Sequence, residues 1–139
     1  MDTKQAQQYL VETCLAVIST LATQHGIDKE NLNIRIDIEN INAKPVFAIF
    51  EKSNYLAPST LKEIIHAGGG KGFTMLLGIH IKNIIKDIFK ASMQRFETEN
   101  SRDVFLLLFL KEENPSIAIF CNNEYKESLP IELIIASES

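Results

Sequence analysis

Three patterns in this chain predict an α+β domain. Two long segments carry apolar residues at three- and four-residue steps, and two pairs of short apolar or alternating runs are joined by polar turns. The third is a composition ordinary for a globular protein: of 139 residues, 45% are apolar and 23% charged, enough to bury a core without metal or disulfide staples. The expected architecture is two helix–hairpin (α-β-β) units forming one antiparallel sheet, with the helices packed on one face.

Asp2 to Gln24 reads as a helix, because Val11, Cys14, Leu15, Ile18 and Leu21 share one face. Asp2 and Gln5 have capping-box spacing, and Gly26 is the expected stop. Leu32, Ile34, Ile36 and Ile38 then alternate with polar residues, as in a strand with one wet face. A polar turn at Asn40–Lys44 leads into a second strand, Val46–Phe50, and the short connection implies a hairpin. Pro58 announces a short helix with capping-box residues Thr60 and Glu63 and an apolar side of Leu61, Ile64 and Ile65. Ile81, Ile84, Ile85, Ile88 and Phe96 mark another helix within Ile79–Phe96. Phe73–Ile81 fits strand alternation as well, although a helix starting near Thr74 is preferred. Val104–Leu110 (VFLLLFL) is apolar on both faces, as expected of a central buried strand. Asn114–Pro115 is expected to turn the chain into a returning strand, Ser116–Cys121, and Ile131–Ala136 closes it as a strand or a short helix.

The stretches PVFAIFEKSNY (Pro45–Tyr55) and PSIAIFCNNEY (Pro115–Tyr125) are identical at five of eleven positions, at an offset of 70 residues. The same shift places Val11, Cys14, Leu15 and Ile18 on Ile81, Ile84, Ile85 and Ile88, Ile34, Ile36 and Ile38 on Val104, Leu106 and Leu108, and Leu61, Ile64 and Ile65 on Ile131, Ile134 and Ile135, so that one shift aligns every expected element. Internal duplication is one explanation, and a periodicity that physics favours in any α-β-β unit is the other. On either view residues 1–139 form one domain, with half-units 1–69 and 70–139 meeting at a glycine seam, Gly68–Gly72.

That seam is also the first candidate site. Gly68, Gly69, Gly70 and Gly72 surround Lys71, and successive glycine amides beside a lysine can cradle an anion. Neither phosphate fingerprint fits. A Walker loop needs Ser or Thr after the lysine, where Gly72 stands, and the dinucleotide motif needs glycine at Phe73. Lys82, Lys86 and Lys90, four residues apart, line one side of a helix and form a basic face suited to membrane or nucleic acid, or simply the solvated back of that helix. The segment Lys71–Arg95 carries +4 while the whole chain carries −4, so a polyanion would find only this local patch. Aromatic residues do not interleave with these lysines, which argues against nucleic acid.

Catalytic chemistry has no evident carrier. His25 and His66 fall at helix C-termini, His80 lies off the main apolar stripe, and Glu63–His66 is a single E-x-x-H where a di-iron site needs two. Ser59-x-x-Lys62 lacks the partner motifs of serine acyl enzymes, and Glu112–Glu113 belongs to a surface turn. Cys14 and Cys121 stand alone in apolar surroundings, as buried thiols do in a reducing compartment. The opening residues MDTKQAQQ have neither a basic nor an apolar signal region, and Asp2 excludes myristoylation. No apolar run reaches the ~20 residues of a membrane span. The chain is therefore expected to be a small cytoplasmic non-enzymatic binding protein, an adaptor, chaperone-like or regulatory, without cofactor or metal. It would act largely through the sheet face or edge and the acidic regions outside Lys71–Arg95, on protein partners and on itself as a homodimer, which would cover the edges left by four strands with a very apolar Val104–Leu110. An anionic ligand at Gly68–Gly72 and contact through Lys82, Lys86 and Lys90 are the alternatives.

Overall fold

The structure, a computed structural model, describes residues 3–68 and 75–134, with side chains from residue 81 onward in the second stretch. The order is helix α1 (Thr3–His25), strands β1 (Leu32–Asp37), β2 (Val46–Glu51) and β3 (Asn54–Ser59), and helix α2 (Leu61–Ala67). It then repeats with α3 (Met75–Arg95), β4 (Val104–Lys111), β5 (Asn114–Cys121), β6 (Glu124–Pro130) and a 3-10 turn at Ile131–Ile134. All six strands form one sheet in the order β3-β2-β1-β4-β5-β6, and every neighbouring pair is antiparallel.

The helices cover one face of this sheet. α1 buries Leu10, Cys14, Val17, Ile18 and Leu21, so its stripe is centred one position away from the expected one, and Val11 and Leu15 lie on its flanks. Among the described side chains of α3, Ile85 and Phe89 are buried in the same cluster. Across from them stand Leu32, Ile34 and Ile36 of β1, Val104, Leu106 and Leu108 of β4, and Ile117 and Ile119 of β5. The α2 capping box forms as expected. Thr60 Oγ1 accepts from the Glu63 N–H at 3.1 Å and donates to Glu63 Oε1 at 3.1 Å.

Several expectations need correction. The sheet has two more strands than the two hairpins expected, because β3 and β6 are edge strands. Polar, largely exposed and containing Pro58 or Pro130, they show no alternation to read. Asn114–Pro115 is not a turn. Glu112 and Glu113 make it with φ of 51° and 69°, and Pro115 lies buried within β5 opposite Leu110. The preferred helical reading of Phe73–Ile81, by contrast, holds for Met75–Ile81, while Phe73 and Thr74 lie outside the described residues. Of the two alternatives for Ile131–Ala136, strand or short helix, Ile131–Ile134 takes the short helix, as a 3-10 turn; Ile135 and Ala136, like Asp2 of the expected capping box, lie outside the described residues.

No single shift of 70 relates the two units. It holds for β2 and β3 against β5 and β6, where both hairpins carry a bulge, at Ile49/Phe50 and Ile119/Phe120. The 3-10 turns Lys29–Asn31 and Ser101–Asp103, which lead into β1 and β4, are 72 apart. The Lys52 N–H reaches the Asn31 carbonyl at 2.7 Å, and the Asn122 N–H reaches that of Asp103 at 2.8 Å. Helices α1 and α3 end alike at a shift of 71. Gly26 (φ 65°) and Glu97 (φ 55°) take the left-handed position, while Ile27 N–H bonds to Ala22 O and Thr98 N–H to Met93 O, both at 3.0 Å. One extra residue before β4 and two fewer between β4 and β5 account for the changing shift. β1 meets β4 at Ile34↔Leu108, Arg35↔Leu107 and Ile36↔Leu106, a pairing symmetric about Arg35–Leu107.

Candidate functional site

Because side chains alternate along a strand, every residue between two core positions points to the second face of the sheet. Among the described residues no helix lies on that face. Its centre is β4, where Phe105, Leu107 and Phe109 are half-buried, and β1 lies beside it with Asn33, Arg35 and Asp37. β2 adds Val46, Ala48 and Phe50, and β5 adds Ser116, Ala118 and Phe120. Tyr55 pairs with Phe50 and Tyr125 with Phe120 on the two edge strands. Val46, Tyr55 and Tyr125 are 57–58% exposed.

A continuous row of contacts crosses four strands of this face. Arg35 grips Asp37 through two parallel hydrogen bonds, Nε to Oδ2 at 2.9 Å and Nη2 to Oδ1 at 3.1 Å. The same guanidinium lies 3.8 Å above the centre of the Phe105 ring. Phe105 stacks on Phe120 with ring centres 4.6 Å apart and planes 7° from parallel. Phe120 meets Tyr125 edge-on at 5.7 Å, and the Tyr125 hydroxyl lies 2.8 Å from Ser128 Oγ. In the first unit Phe50 and Tyr55 repeat the edge-on contact, also at 5.7 Å. The pairing of Arg35 with Asp37 leaves the centre of the face electrically neutral, and the aromatic row holds the guanidinium flat. The result is a ring-rich surface, neutral at its centre and suited to apolar contact.

No family model, curated protein or solved structure matches the chain. The reading of this face therefore rests on its own geometry.

The candidates from the sequence lie elsewhere. Gly68 is the C-cap of α2 in right-handed geometry, and its N–H is engaged with the carbonyls of Ile64 and Ile65, both at 3.1 Å. Gly69, Gly70, Lys71 and Gly72 lie outside the described residues. Lys82 and Lys86 are half-buried and Lys90 is exposed on α3, in the helical layer on the far side of the sheet from the aromatic face. His25 and His66 occupy the last turns of α1 and α2, as their positions in the sequence implied. Among the described residues no group of three His, Cys, Asp or Glu converges as metal ligands, and no helix is long and apolar enough to cross a membrane.

Among the described residues, an open concavity of about 600 Å³ lies between α1 and α2, lined by Leu21, Gln24, Lys62, Glu63, Ile65 and His66. Two further concavities sit in the helical layer. One is a partly enclosed apolar void of about 60 Å³ lined by Leu10, Cys14, Val17, Ile36, Ile85 and Leu106. Cys14 is buried there, and burial pushes its thiol from 9.0 up to about 12, so it stays a neutral core residue at ordinary pH. The other is an open groove of about 330 Å³ between α3, β5, β6 and the closing turn, floored by Ile88, Ile117, Ile119 and Leu129 and rimmed by the Arg95–Glu127 ion pair.

Sequence reasoning named the sheet face only in general terms and missed Arg35, Phe105, Phe120, Tyr55 and Tyr125. Two signals pointed to them. VFLLLFL is apolar on both faces, although helices on one side can bury only one. Of the five identities between Pro45–Tyr55 and Pro115–Tyr125, three (Ala48/Ala118, Phe50/Phe120 and Tyr55/Tyr125) fall on the uncovered face, where core packing does not demand them.

Proposed function

We propose that this chain is a non-enzymatic binding protein that works through protein–protein contact on the uncovered face of its sheet. The observation that carries the reading is the neutral aromatic row from Arg35 to Tyr125 on a face without a covering helix among the described residues. Apolar, ring-rich surface of this extent is costly to leave in water and is typical of interface cores. The test is photo-cross-linking of the full chain in extract, with benzoylphenylalanine placed at Tyr55, Tyr125 or, as a control in the helical layer, Lys90. Protein adducts at the two tyrosine positions well above the control are expected. Adducts no stronger than those at Lys90 overturn the reading.

We also infer that the two units descend from one duplicated α-β-β-β segment. The paired bulges, paired helix ends and paired 3-10 turns support it, together with a β1–β4 pairing symmetric about Arg35–Leu107. Shared periodicity alone does not require a bulge at the same place in both hairpins. A crystal structure in which no single two-fold rotation about that pair superposes β1–β3 on β4–β6 refutes the duplication.

A further inference from the structure

We propose that the occupant of the uncovered face is a second copy of this chain, packed sheet against sheet; the proposal rests on the protein-binding reading above. Size is the first argument. Six strands of six to eight residues, at spacings of about 4.8 Å between strands and about 3.3 Å per residue, project an area of about 600–750 Å². Side-chain relief brings this close to the ~800 Å² per partner of a stable interface. A docked helix, about 10 Å across, leaves most of that width wet, whereas an identical sheet covers it from β3 to β6.

Charge is the second argument. Within the strands this face carries only Arg35 and Asp37, which neutralise each other, and Lys111 at the end of β4. The chain as a whole is at −4, so its negative charge is displayed elsewhere, and two copies meet here without the like-charge cost they would incur on other surfaces. Six of the eleven Phe and Tyr residues lie on this face: Phe50, Tyr55, Phe105, Phe109, Phe120 and Tyr125. A single-stranded nucleic acid could stack on such rings, but it also needs free cations for its phosphates, and Arg35 is already paired with Asp37.

The third argument is that the edges are closed to pairing. Both edge strands contain a proline and both edge hairpins a bulge, devices that stop a sheet from adding strands. The proposed homodimer therefore forms on the sheet face rather than by covering strand edges. The apolar strand Val104–Lys111 lies between β1 and β5, and what it leaves uncovered is a face.

The experiment is light scattering with size exclusion and sedimentation equilibrium on the full chain from about 1 to 500 μM, for wild type and Tyr55→Lys/Tyr125→Lys. Both tyrosines are more than half exposed, so the fold should tolerate the change, and circular dichroism checks it. Leu107→Lys, at the centre of the face, is the second variant, and Lys90→Glu is the control. The expected result is a wild-type dimer whose dissociation constant rises at least about tenfold in either face variant and is unchanged in Lys90→Glu. A wild-type monomer throughout, or a dimer indifferent to both face variants, overturns the proposal. So does a fluorescent single-stranded oligonucleotide that binds wild type and not the double variant. A monomer with strong tyrosine-position adducts to a different protein removes only the second copy and leaves the binding reading standing. A monomer with no such adducts removes both.

Discussion

Helices α1 and α3 end in the same backbone motif but with different residues at its left-handed position, Gly26 in one and Glu97 in the other. Swapping the residue types should therefore change stability in opposite directions. At Gly26 an added Cβ meets nothing within 4 Å, so Gly26→Ala adds no clash and costs only backbone strain. Left-handed geometry costs an L-residue about 1–2 kcal/mol, and the loss of glycine's freedom in the unfolded chain returns about 0.4–1 kcal/mol. The net is a destabilisation of about 0.5–1 kcal/mol. Glu97→Gly reverses the same terms and should stabilise by about 0.5–1 kcal/mol; removing a carboxylate from the negative end of α3 acts in the same direction. Glu97→Gln, which keeps the strain and loses the charge, isolates that smaller part. In urea titration, with a slope of about 1.5 kcal/mol/M, each change moves the midpoint by about 0.3–0.7 M at constant slope. A Glu97→Gly midpoint at or below wild type, with Gly26→Ala unchanged, would refute the reasoning for both helix ends.

Phe89→Ala, at a fully buried position of α3, should cost about 3–5 kcal/mol in the same assay, and a cost below about 1 kcal/mol would mean that α3 does not pack as described. Ser59 Oγ is buried without a hydrogen-bond partner among the described residues, so Ser59→Ala should be neutral or stabilise by up to about 1 kcal/mol; a clear loss would reveal a partner. Cys14 should resist a thiol reagent at pH 8 until the protein unfolds. Its folded thiol titrates near 12 against an ordinary 9.0, so any stability tied to it is intact below pH 9 and declines as pH rises from there towards 12. A Cys14→Ala variant should lose less stability than wild type across that window, and parallel curves would contradict the burial of the thiol.

The legible parts of the fold were those with one face in the core. The Leu32–Ile38 alternation and the α1 and α3 stripes could be read because burial imposes a period on the residue types. Asn54–Ser59 and Glu124–Pro130 could not, because an edge strand bonds along one side only and its exposed positions accept almost any residue. For the turn between β4 and β5 the sequence offers both Glu112–Glu113, a surface turn, and Asn114–Pro115 as the point of reversal, and only the first holds. Glu-Glu is an uncommon occupant of two left-handed positions, and Asn-Pro beside it resembles a turn more closely than the true one.

The face proposed for binding was hidden by a correct inference carried too far. An apolar run with no wet side implies cover on both sides, and VFLLLFL is therefore expected to be a central buried strand. β4 is indeed central, with strands on both sides, but among the described residues three helices and a short turn supply one covering layer only. The second row of that strand, Phe105, Leu107 and Phe109, is then surplus to the fold's own needs. Arg35 and Asp37 show the same surplus from the polar side. A charged pair at the middle of a solvated sheet face gains little stability from its salt bridge, yet this one is bidentate and laid flat on Phe105. An arrangement that removes net charge and fixes ring orientation contributes more to a surface that will be covered than to one that stays wet. Folding accounts for the row of Leu106 and Leu108, and the proposed partner would account for the row of Phe105 and Leu107.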